Sequence, residues 1–403
     1  MFPLPESSTP HSSTATSSSQ PINRVYFGDC RTSMQQMVEQ GVKVQTCVTS
    51  PPYFGLRDYG HGGQIGLEST VDEYVNHLVE VFRLVRELLT EDGTLWLNLG
   101  DSYNGSGKGG TNPEYQKRHQ AFGKHLEVGR HGKPVHLKNL KPKDLIGIPW
   151  RVAFALQADG WFLRQDIIWA KNNPMPESVK DRCTKSHEYV FLLSKNKHYY
   201  FDHNAILEPA AYDGRKDTLM KGSAKYEGHQ LPNQTRQSFH ARGSARWQRN
   251  ESGAFLRNKR SVWTVSTKPF NGKKLLTDYV GSDGKAYTAS RHCMAHQHLS
   301  RQKWGRKKSN PTLPVPPHSA DCLCQEVSVD HFAVYPPALI EPCILAGSRV
   351  GDVVLDPFFG SGTTGVVAQQ HGRQWLGCEL NETYAALQQA RLSDGPILEP
   401  ELC

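Results

Sequence analysis

Residues 353–365 read Val353-Val354-Leu355-Asp356-Pro357-Phe358-Phe359-Gly360-Ser361-Gly362-Thr363-Thr364-Gly365. An apolar run ends in an acid and a proline, and three glycines then lead into a helical pattern. We predict a strand over Asp352–Asp356, a helix over Thr363–His371 and a second strand over Gln374–Glu379, which together make a βαβ unit. Glycines 360, 362 and 365 let the backbone approach a ligand closely, as in dinucleotide sites, so this unit predicts a nucleoside cofactor.

Two acids at strand ends indicate which nucleoside. Glu379 closes the second strand, where an acidic residue can hold ribose hydroxyls, and this spacing also fits a nicotinamide cofactor. Asp356 favours another ligand, because a carboxylate at the strand end repels a pyrophosphate but can pair with the cationic methionine part of S-adenosylmethionine. The sequence therefore predicts an S-adenosylmethionine pocket, and its candidate residues here are Asp356, Pro357, Phe358, Gly360, Gly362, Thr363 and Glu379.

Strand and helix patterns alternate along the rest of the chain. Short apolar runs predict strands at 24–27, 42–48, 94–99, 161–171 and 188–194. Apolar residues at helical spacing predict helices at 32–40, 71–89, 144–158 and 336–346. The alternation predicts an α/β fold, Rossmann-like, with a mainly parallel sheet.

A proline-rich loop follows the predicted strand 42–48 and reads Thr49-Ser50-Pro51-Pro52-Tyr53. Two prolines exclude both helix and interior strand, so a loop leaves the carboxyl end of that strand. The Ser50 hydroxyl and the Pro51 carbonyl are two acceptors for the N–H groups of an exocyclic amine, whose lone pair would then point at a methyl donor. Tyr53, stiffened by Pro51-Pro52, can stack on a base turned out of the duplex. The alternative is a turn that only ends the strand.

No Pro-Cys dipeptide occurs in this region, which argues against methylation of a cytosine ring carbon through a cysteine nucleophile. Asp101 also follows a predicted strand, where it either faces the pocket or caps a turn.

The charge is concentrated in the middle of the chain. Residues 211–330 carry 21 Lys/Arg against 9 Asp/Glu, whereas residues 331–403 carry 3 against 8. A basic middle between neutral and acidic flanks predicts contact with a polyanion, for which double-stranded DNA is the natural candidate. Arg257, Lys259 and Arg260, beside an aromatic residue, are candidates for contacts with phosphate or a base edge. A solvated basic loop remains the alternative.

The 49–53 loop and the 356–364 loop together resemble those of the β-class DNA amino-methyltransferases of restriction-modification systems and phages. Their order matches as well, with the catalytic motif first, a recognition region next and the cofactor loop last. The resemblance implies that Asp29 contacts the adenine of the cofactor, and that Phe332 with Pro336-Pro337 walls its methionine part. A Ser-Pro-Pro-Tyr loop preceded by Thr resembles the cytosine-N4 enzymes, whereas Asp-Pro-Pro-Tyr is the commoner adenine-N6 form.

Adenine-N6 methylation therefore stays open, because both bases present the same amino group beside a ring nitrogen. A DNA-binding regulator without catalysis and a nicotinamide oxidoreductase are further alternatives from other classes.

Five segments follow from this interpretation: a disordered tail at 1–21, a catalytic half at 22–210, a basic target-recognition insertion at 211–330, a cofactor-binding half at 331–392 and a tail at 393–403. The insertion contains two close ligand pairs, Cys293 with His296 and Cys322 with Cys324, which could hold a structural zinc ion, with His298 and His318 as alternative ligands.

Nine scattered cysteines in a chain of this size favour free thiols or a metal site over disulfides. No apolar run reaches about 18 residues, and no apolar core of a signal peptide precedes the first strand, so we expect no membrane partner and a cytoplasmic protein. The family resemblance implies in addition a bacterial or phage origin and an association with the nucleoid.

Overall fold

A computed structural model describes residues 22–105 except 60, residues 139–210 except 175, residues 256–267 and 335–393, together with residue 137 and the backbone of a few two-residue strands between 130 and 327. The predicted tail at 1–21, Phe332 and the four predicted zinc ligands lie outside these residues.

An eight-stranded sheet forms the centre of the protein. Its strands are β1 (Arg24–Phe27), β2 (Val44–Thr49), β3 (Leu89–Leu99), β4 (Phe162–Ala170), β5 (His187–Ser194), β6 (Val262–Thr264), β7 (Val353–Asp356) and β8 (Gln374–Glu379). The spatial order is β1-β8-β7-β2-β3-β5-β4-β6. Only β5 runs against its neighbours β3 and β4, and every other pair is parallel, which confirms the predicted α/β fold with a mainly parallel sheet.

In the described part of the chain, six α-helices accompany the sheet: α1 (Cys30–Glu39), α2 (Val71–Leu88), α3 (Ile148–Ala158), α4 (Pro337–Gly347), α5 (Thr363–Gln370) and α6 (Ala385–Ser393). The start of α2 is fixed by a capping box, in which Thr70 Oγ1 accepts from the Glu73 N–H and the Glu73 carboxylate accepts from the Thr70 N–H. Proline at the first turns of α3 and α4 suits positions whose N–H has no helical partner.

The helices cover both faces of the sheet, because each face has its own apolar cluster. On one face α1, α2 and α3 pack through residues such as Met34, Phe82 and Val152. On the other face α4 and α5 pack around Trp96 and Trp375. A parallel sheet buried on both faces leaves only its strand ends for a ligand.

Strand β6 was not predicted, because its three residues are too few to show a period. It lies in the segment that the sequence assigned to the basic insertion, yet it pairs with β4 in the main sheet, Trp263 opposite Trp169. The Trp263 side chain is 6% exposed and lies 6.5 Å from Trp96, ring centre to ring centre. This part of the segment therefore belongs to the core.

Minor elements complete the described chain: 3-10 helices at Asn204–Ile206 and Glu382–Tyr384, and pairs of two-residue strands, such as Glu208–Pro209 with Leu256–Arg257. None of the helices in the described residues is long and apolar enough to cross a membrane.

Candidate active site

The two loops singled out in the sequence leave adjacent strands at the same edge of the sheet. Strands β2 and β7 are parallel neighbours with Leu355 opposite Cys47, so Thr49 and Asp356 end side by side. Strand β8 ends in Glu379 on the other side of β7, and Phe27 of β1 lies opposite Glu379. The carboxyl ends of parallel strands are the usual place for a ligand in such folds.

Asp356 connects the two loops through hydrogen bonds. Its Oδ1 accepts from the Thr49 hydroxyl at 2.6 Å and from the Phe358 N–H at 3.0 Å. Its Oδ2 accepts from the Thr364 hydroxyl at 2.6 Å and from the Tyr335 hydroxyl at 2.9 Å. Burial raises the pKa of Asp356, and the hydrogen bonds from Thr364 and Thr49 act against that rise.

This arrangement differs from the expectation that Asp356 pairs with a ligand cation. The residue is 1% exposed, and its two oxygens already accept four hydrogen bonds from the protein. A carboxylate has about four acceptor sites, so little capacity is left for a ligand. The hydroxyls of Thr49 and Thr364 turn the acid inwards, which its position at the end of a strand did not reveal.

The 356–364 loop, called the glycine loop from here on, contains two glycines in a backbone conformation that other residues rarely adopt. Gly360 and Gly362 have φ values of +54° and +83°. Gly365, in contrast, makes room for a side chain: a β-carbon there would lie 2.7 Å from Phe359 Cζ, and one at Gly377 would lie 2.4 Å from Phe359 Cγ. The glycine at 365 thus serves the packing of Phe359, which stacks on Trp375, rather than the approach of a ligand.

Glu379 lies at the end of β8 beside this loop. Its Oε2 accepts from the Gly360 N–H at 2.7 Å and its Oε1 from the Asn381 N–H at 2.8 Å. Burial raises the pKa of Glu379 to about 7, although these two N–H groups favour the charged form. Each oxygen retains acceptor capacity, so the side chain can still accept hydrogen bonds from ligand hydroxyls.

Helix α6 holds the same loop from behind, a feature that the sequence did not indicate. Arg391 Nη1 donates to the Ser361 carbonyl at 2.7 Å and to Thr363 Oγ1 at 3.2 Å, and Gln388 Nε2 donates to the Gly360 carbonyl at 2.6 Å. Burial lowers the pKa of Arg391 to about 10. Its charge is still present at neutral pH.

The 49–53 loop is held from helix α2 and from β3. The Tyr74 hydroxyl donates to the Pro52 carbonyl at 2.9 Å. The Tyr53 ring lies against Gly100, where a β-carbon would come within 2.5 Å of Tyr53 Cε2. Pro51 is buried, whereas Ser50 and Tyr53 are partly exposed. The loop is therefore fixed in place but open to solvent at the two side chains predicted to act.

The hydroxyl of Tyr53 lies 2.6 Å from Glu188 Oε2 and 3.1 Å from Asn98 Oδ1. Burial, followed by the charge of Glu188 and the hydrogen bond to it, raises the pKa of Tyr53 well above its ordinary value. Glu188 in turn accepts from Lys171 Nζ. Sequence reasoning missed this pair, because the antiparallel register that brings β5 beside β3 cannot be read from a single chain.

Asp29 and Asp101 both cap helices. Asp29 Oδ1 accepts from the Arg31 N–H at 2.8 Å, and the Arg31 side chain pairs with the same carboxylate. Hydrogen bonding from the Arg31 side chain is the main cause of the lowered pKa of Asp29. A cavity of about 440 Å³ lies between β1 and α1 and includes Asp29, but none of the residues of the 49–53 or 356–364 loops. Asp101 accepts from the N–H groups of Gly147 and Ile148 at the start of α3, which is the capping role among its two alternatives.

The predicted DNA contacts lie next to β6, the edge strand at the end of the sheet farthest from β1. Arg257 and Arg260 both donate to Glu208 Oε1, at 2.9 and 2.6 Å. Lys259 lies over the ring of Trp263, with Nζ 5.2 Å from its centre. The side chain of Arg260 is 67% exposed and keeps donors for a further partner.

Cysteine and metal chemistry find little support among the described residues. The five cysteines in these segments are free thiols, and no group of three His, Cys, Asp or Glu side chains that could hold a metal ion occurs there. Cys47 and Cys378 lie on strands of the active-site edge, but burial raises the pKa of both thiols well above the ordinary value. Neither is a nucleophile at neutral pH. The zinc site on Cys293, His296, Cys322 and Cys324 stays a prediction.

A family model and two relatives in sequence point to one family. The family model described as DNA methylase, of the N6/N4 type, matches residues 44–390. The Type II methyltransferase M.SmaI of Serratia marcescens is 39% identical over 370 residues, covering 92% of this chain and 90% of that protein. The Type II methyltransferase M.Cfr9I of Citrobacter freundii is 37% identical over 395 residues, covering 97% and 96%. Among solved structures, PvuII DNA methyltransferase (cytosine-N4-specific) has a TM-score of 0.48 at 16% identity, covering 95% of this chain and 89% of that one.

Proposed function

The chain belongs to the N6/N4 family of DNA methylases, and from that premise we propose that it transfers a methyl group from S-adenosylmethionine to the exocyclic N4 amino group of cytosine in double-stranded DNA. The observation that carries the proposal is the hydrogen bond between Thr49 and Asp356, which joins the strand before the 49–53 loop to the strand before the glycine loop. Direct methyl transfer needs the loop that binds the target amine to lie beside the loop that binds the methyl donor.

The residues of the glycine loop fit S-adenosylmethionine. Glu379 would hold its ribose, because the carboxylate is fixed by two backbone N–H groups and has acceptor capacity left for a diol. Gly362, which caps α5 without a side chain, leaves backbone N–H groups of the first turn for an anionic group. When bound, this cofactor supplies an electrophilic methyl group. Asp356 supports the loop in this proposal and does not touch the cofactor.

The 49–53 loop would bind the exocyclic amino group of the target base. The lone pair of an exocyclic amine is delocalised into its ring, so hydrogen bonds to Ser50 Oγ and the Pro51 carbonyl would localise it on the nitrogen. A base inside the duplex cannot reach this loop, hence the target is turned out and lies against Tyr53. The buried thiols at this edge support direct transfer to nitrogen rather than attack through cysteine.

Cytosine is favoured over adenine by the serine at position 50, since Ser-Pro-Pro-Tyr resembles the cytosine-N4 enzymes and Asp-Pro-Pro-Tyr the commoner adenine-N6 form. The alternative is N6 methylation of adenine by the same loop. We further propose that Arg257, Lys259 and Arg260 contact the DNA, because one exposed guanidinium and a ring-stacked ammonium lie there on the protein surface.

Expression in a bacterial host that lacks its own DNA methylation tests the proposal. Base-resolved analysis of host DNA should find N4-methylcytosine in one sequence context, and the same strain carrying the Tyr53→Ala variant should give a strongly reduced level. Methyl groups on adenine instead would replace the cytosine assignment with the alternative. Unmethylated DNA from a host that accumulates folded protein would refute the function.

A further inference from the structure

One contact at the active-site edge has no part in gripping the amino group. The phenol of Tyr53 donates to Glu188 Oε2 at 2.6 Å. Glu188 is the second residue of β5, which begins at His187. The Glu188 side chain is 16% exposed. A charged acceptor makes a hydrogen bond about twice as strong as a neutral one, so this contact fixes the ring more firmly than packing alone.

Glu188 is itself fixed. Its Oε1 accepts from Lys171 Nζ, which lies 4.4 Å from the centre of the Trp169 ring. Asn98 adds a second contact, since its Nδ2 donates to Glu188 Oε2 at 3.4 Å while its Oδ1 faces the Tyr53 hydroxyl at 3.1 Å. The carboxylate thus has little freedom to follow a moving ring.

The ring is also restricted along its edge. Gly100 directly follows β3, and the Tyr53 ring fills the space that a β-carbon of this residue would take, 2.5 Å from Cε2. A ring held at its hydroxyl and along one edge has one plane available to it. A stacking surface that is already oriented loses less entropy when a base arrives.

We propose that Glu188, held by Lys171, is a positioning residue that sets the plane of the Tyr53 ring for the turned-out base. The inference rests on the proposed function, because it takes Tyr53 as the surface on which that base stacks. The competing explanation is an ion pair that only stabilises the edge of the sheet between β4 and β5.

A double-mutant cycle between Tyr53→Phe and Glu188→Gln separates the two explanations, with methyl-free genomic DNA and labelled S-adenosylmethionine as substrates. If Glu188 acts through the phenol, each single variant lowers kcat by about 10- to 100-fold. The double variant is then no slower than the slower single variant, since the contact that Glu188→Gln weakens is already absent from Tyr53→Phe. The Kd of S-adenosylmethionine stays within about two-fold of the wild-type value, because neither side chain lies at the glycine loop.

Asp159→Asn is the matched control, because it removes the carboxylate of another ion pair, Arg83 with Asp159, at the opposite edge of the sheet. It should leave kcat unchanged. The inference is overturned if Glu188→Gln lowers the unfolding midpoint and reduces kcat by the same factor in Tyr53→Phe as in the wild type. The ion pair of Lys171 and Glu188 then has only a structural role. Lys171→Met gives a second measurement: it should slow the wild type but not Tyr53→Phe, and equal slowing of both would also overturn the inference. A wild-type protein with no methyl transfer would overturn the proposed function itself, and the inference with it.

Discussion

The hydroxyl of Thr49 and the carboxylate of Asp356 lie 2.6 Å apart, although 307 positions separate them in the chain. This contact fixes the distance between the 49–53 loop and the glycine loop, because each residue ends the strand from which its loop departs. The relative position of the two loops thus depends on a buried hydrogen bond between their first residues.

Thr49→Val should test that dependence. The change keeps the shape but removes one donor from a buried carboxylate, which costs about 1–3 kcal/mol of stability. Methyl transfer should fall by more than the stability loss explains, since the two loops lose their connection. Urea unfolding and single-turnover kinetics measure the two effects. Thr46→Val is the matched control on the same strand, because the Thr46 hydroxyl bonds to Thr94 and lies away from the loops. Equal activity losses in both variants would contradict the connection.

Ser50→Ala and Tyr53→Ala should each reduce turnover strongly, by about 100-fold or more. Ser50 is expected to localise the amine lone pair, and Tyr53 to stack on the base. Neither residue belongs to the glycine loop, so calorimetry should find S-adenosylmethionine binding preserved. Unaltered turnover in both variants would refute the assigned roles.

Glu379 predicts a pH dependence of stability. Burial raises its pKa from 4.5 to about 7, so between these values the folded state retains a proton that the unfolded state has released. Stability contributed by this group therefore falls as the pH rises from 4.5 to 7 and is constant above that range. Glu379→Gln should remove this component, measured as the difference in unfolding free energy between wild type and variant across pH. An identical pH profile for both proteins would show that the carboxylate titrates normally.

The same residue predicts tighter cofactor binding at higher pH. An ionised carboxylate accepts hydrogen bonds from ribose hydroxyls more strongly than a protonated one. The Kd of S-adenosylmethionine should therefore fall as the pH rises through about 7 in the wild type, whereas Glu379→Gln should bind more weakly with little pH dependence. A wild-type Kd that is flat across this range would argue against Glu379 as the ribose ligand.

Arg391→Met should weaken cofactor binding about ten-fold, because the glycine loop loses the donors on its Ser361 carbonyl and Thr363 hydroxyl. Arg373→Met provides the comparison: Arg373 also donates to backbone carbonyls, those of His371 and Ser348, but at the start of β8 rather than its end. It should lower the unfolding midpoint and leave the Kd unchanged. If both variants bind S-adenosylmethionine like the wild type, the loop does not need the clamp.

Much of this fold was readable from the sequence because its signals are local. The periodic apolar residues of α2 and the capping pair Thr70 and Glu73 define that helix without any tertiary information. The thirteen residues 353–365 alone predicted a strand, a turn and a helix. Both loops could therefore be recognised, and family resemblance supplied their relation.

The missed features depend on contacts between distant segments. Val262–Thr264 is too short for a periodic pattern, and its place beside β4 is decided by the burial of Trp263. The contact between Glu188 and Tyr53 needs an antiparallel register that no local signal encodes. Asp356 was assigned to a ligand because a strand-end acid suggests one, whereas the surrounding hydroxyls are known only from the fold.

Labelled methyl transfer in vitro tests the central claim most directly. The purified protein would be incubated with methyl-free genomic DNA and S-adenosylmethionine carrying a labelled methyl group, and the DNA would be digested to nucleosides for mass spectrometry. The account predicts that the label appears in N4-methyldeoxycytidine. Label in 5-methyldeoxycytidine would contradict it. Unlabelled DNA would also contradict it if the protein is folded and binds the cofactor.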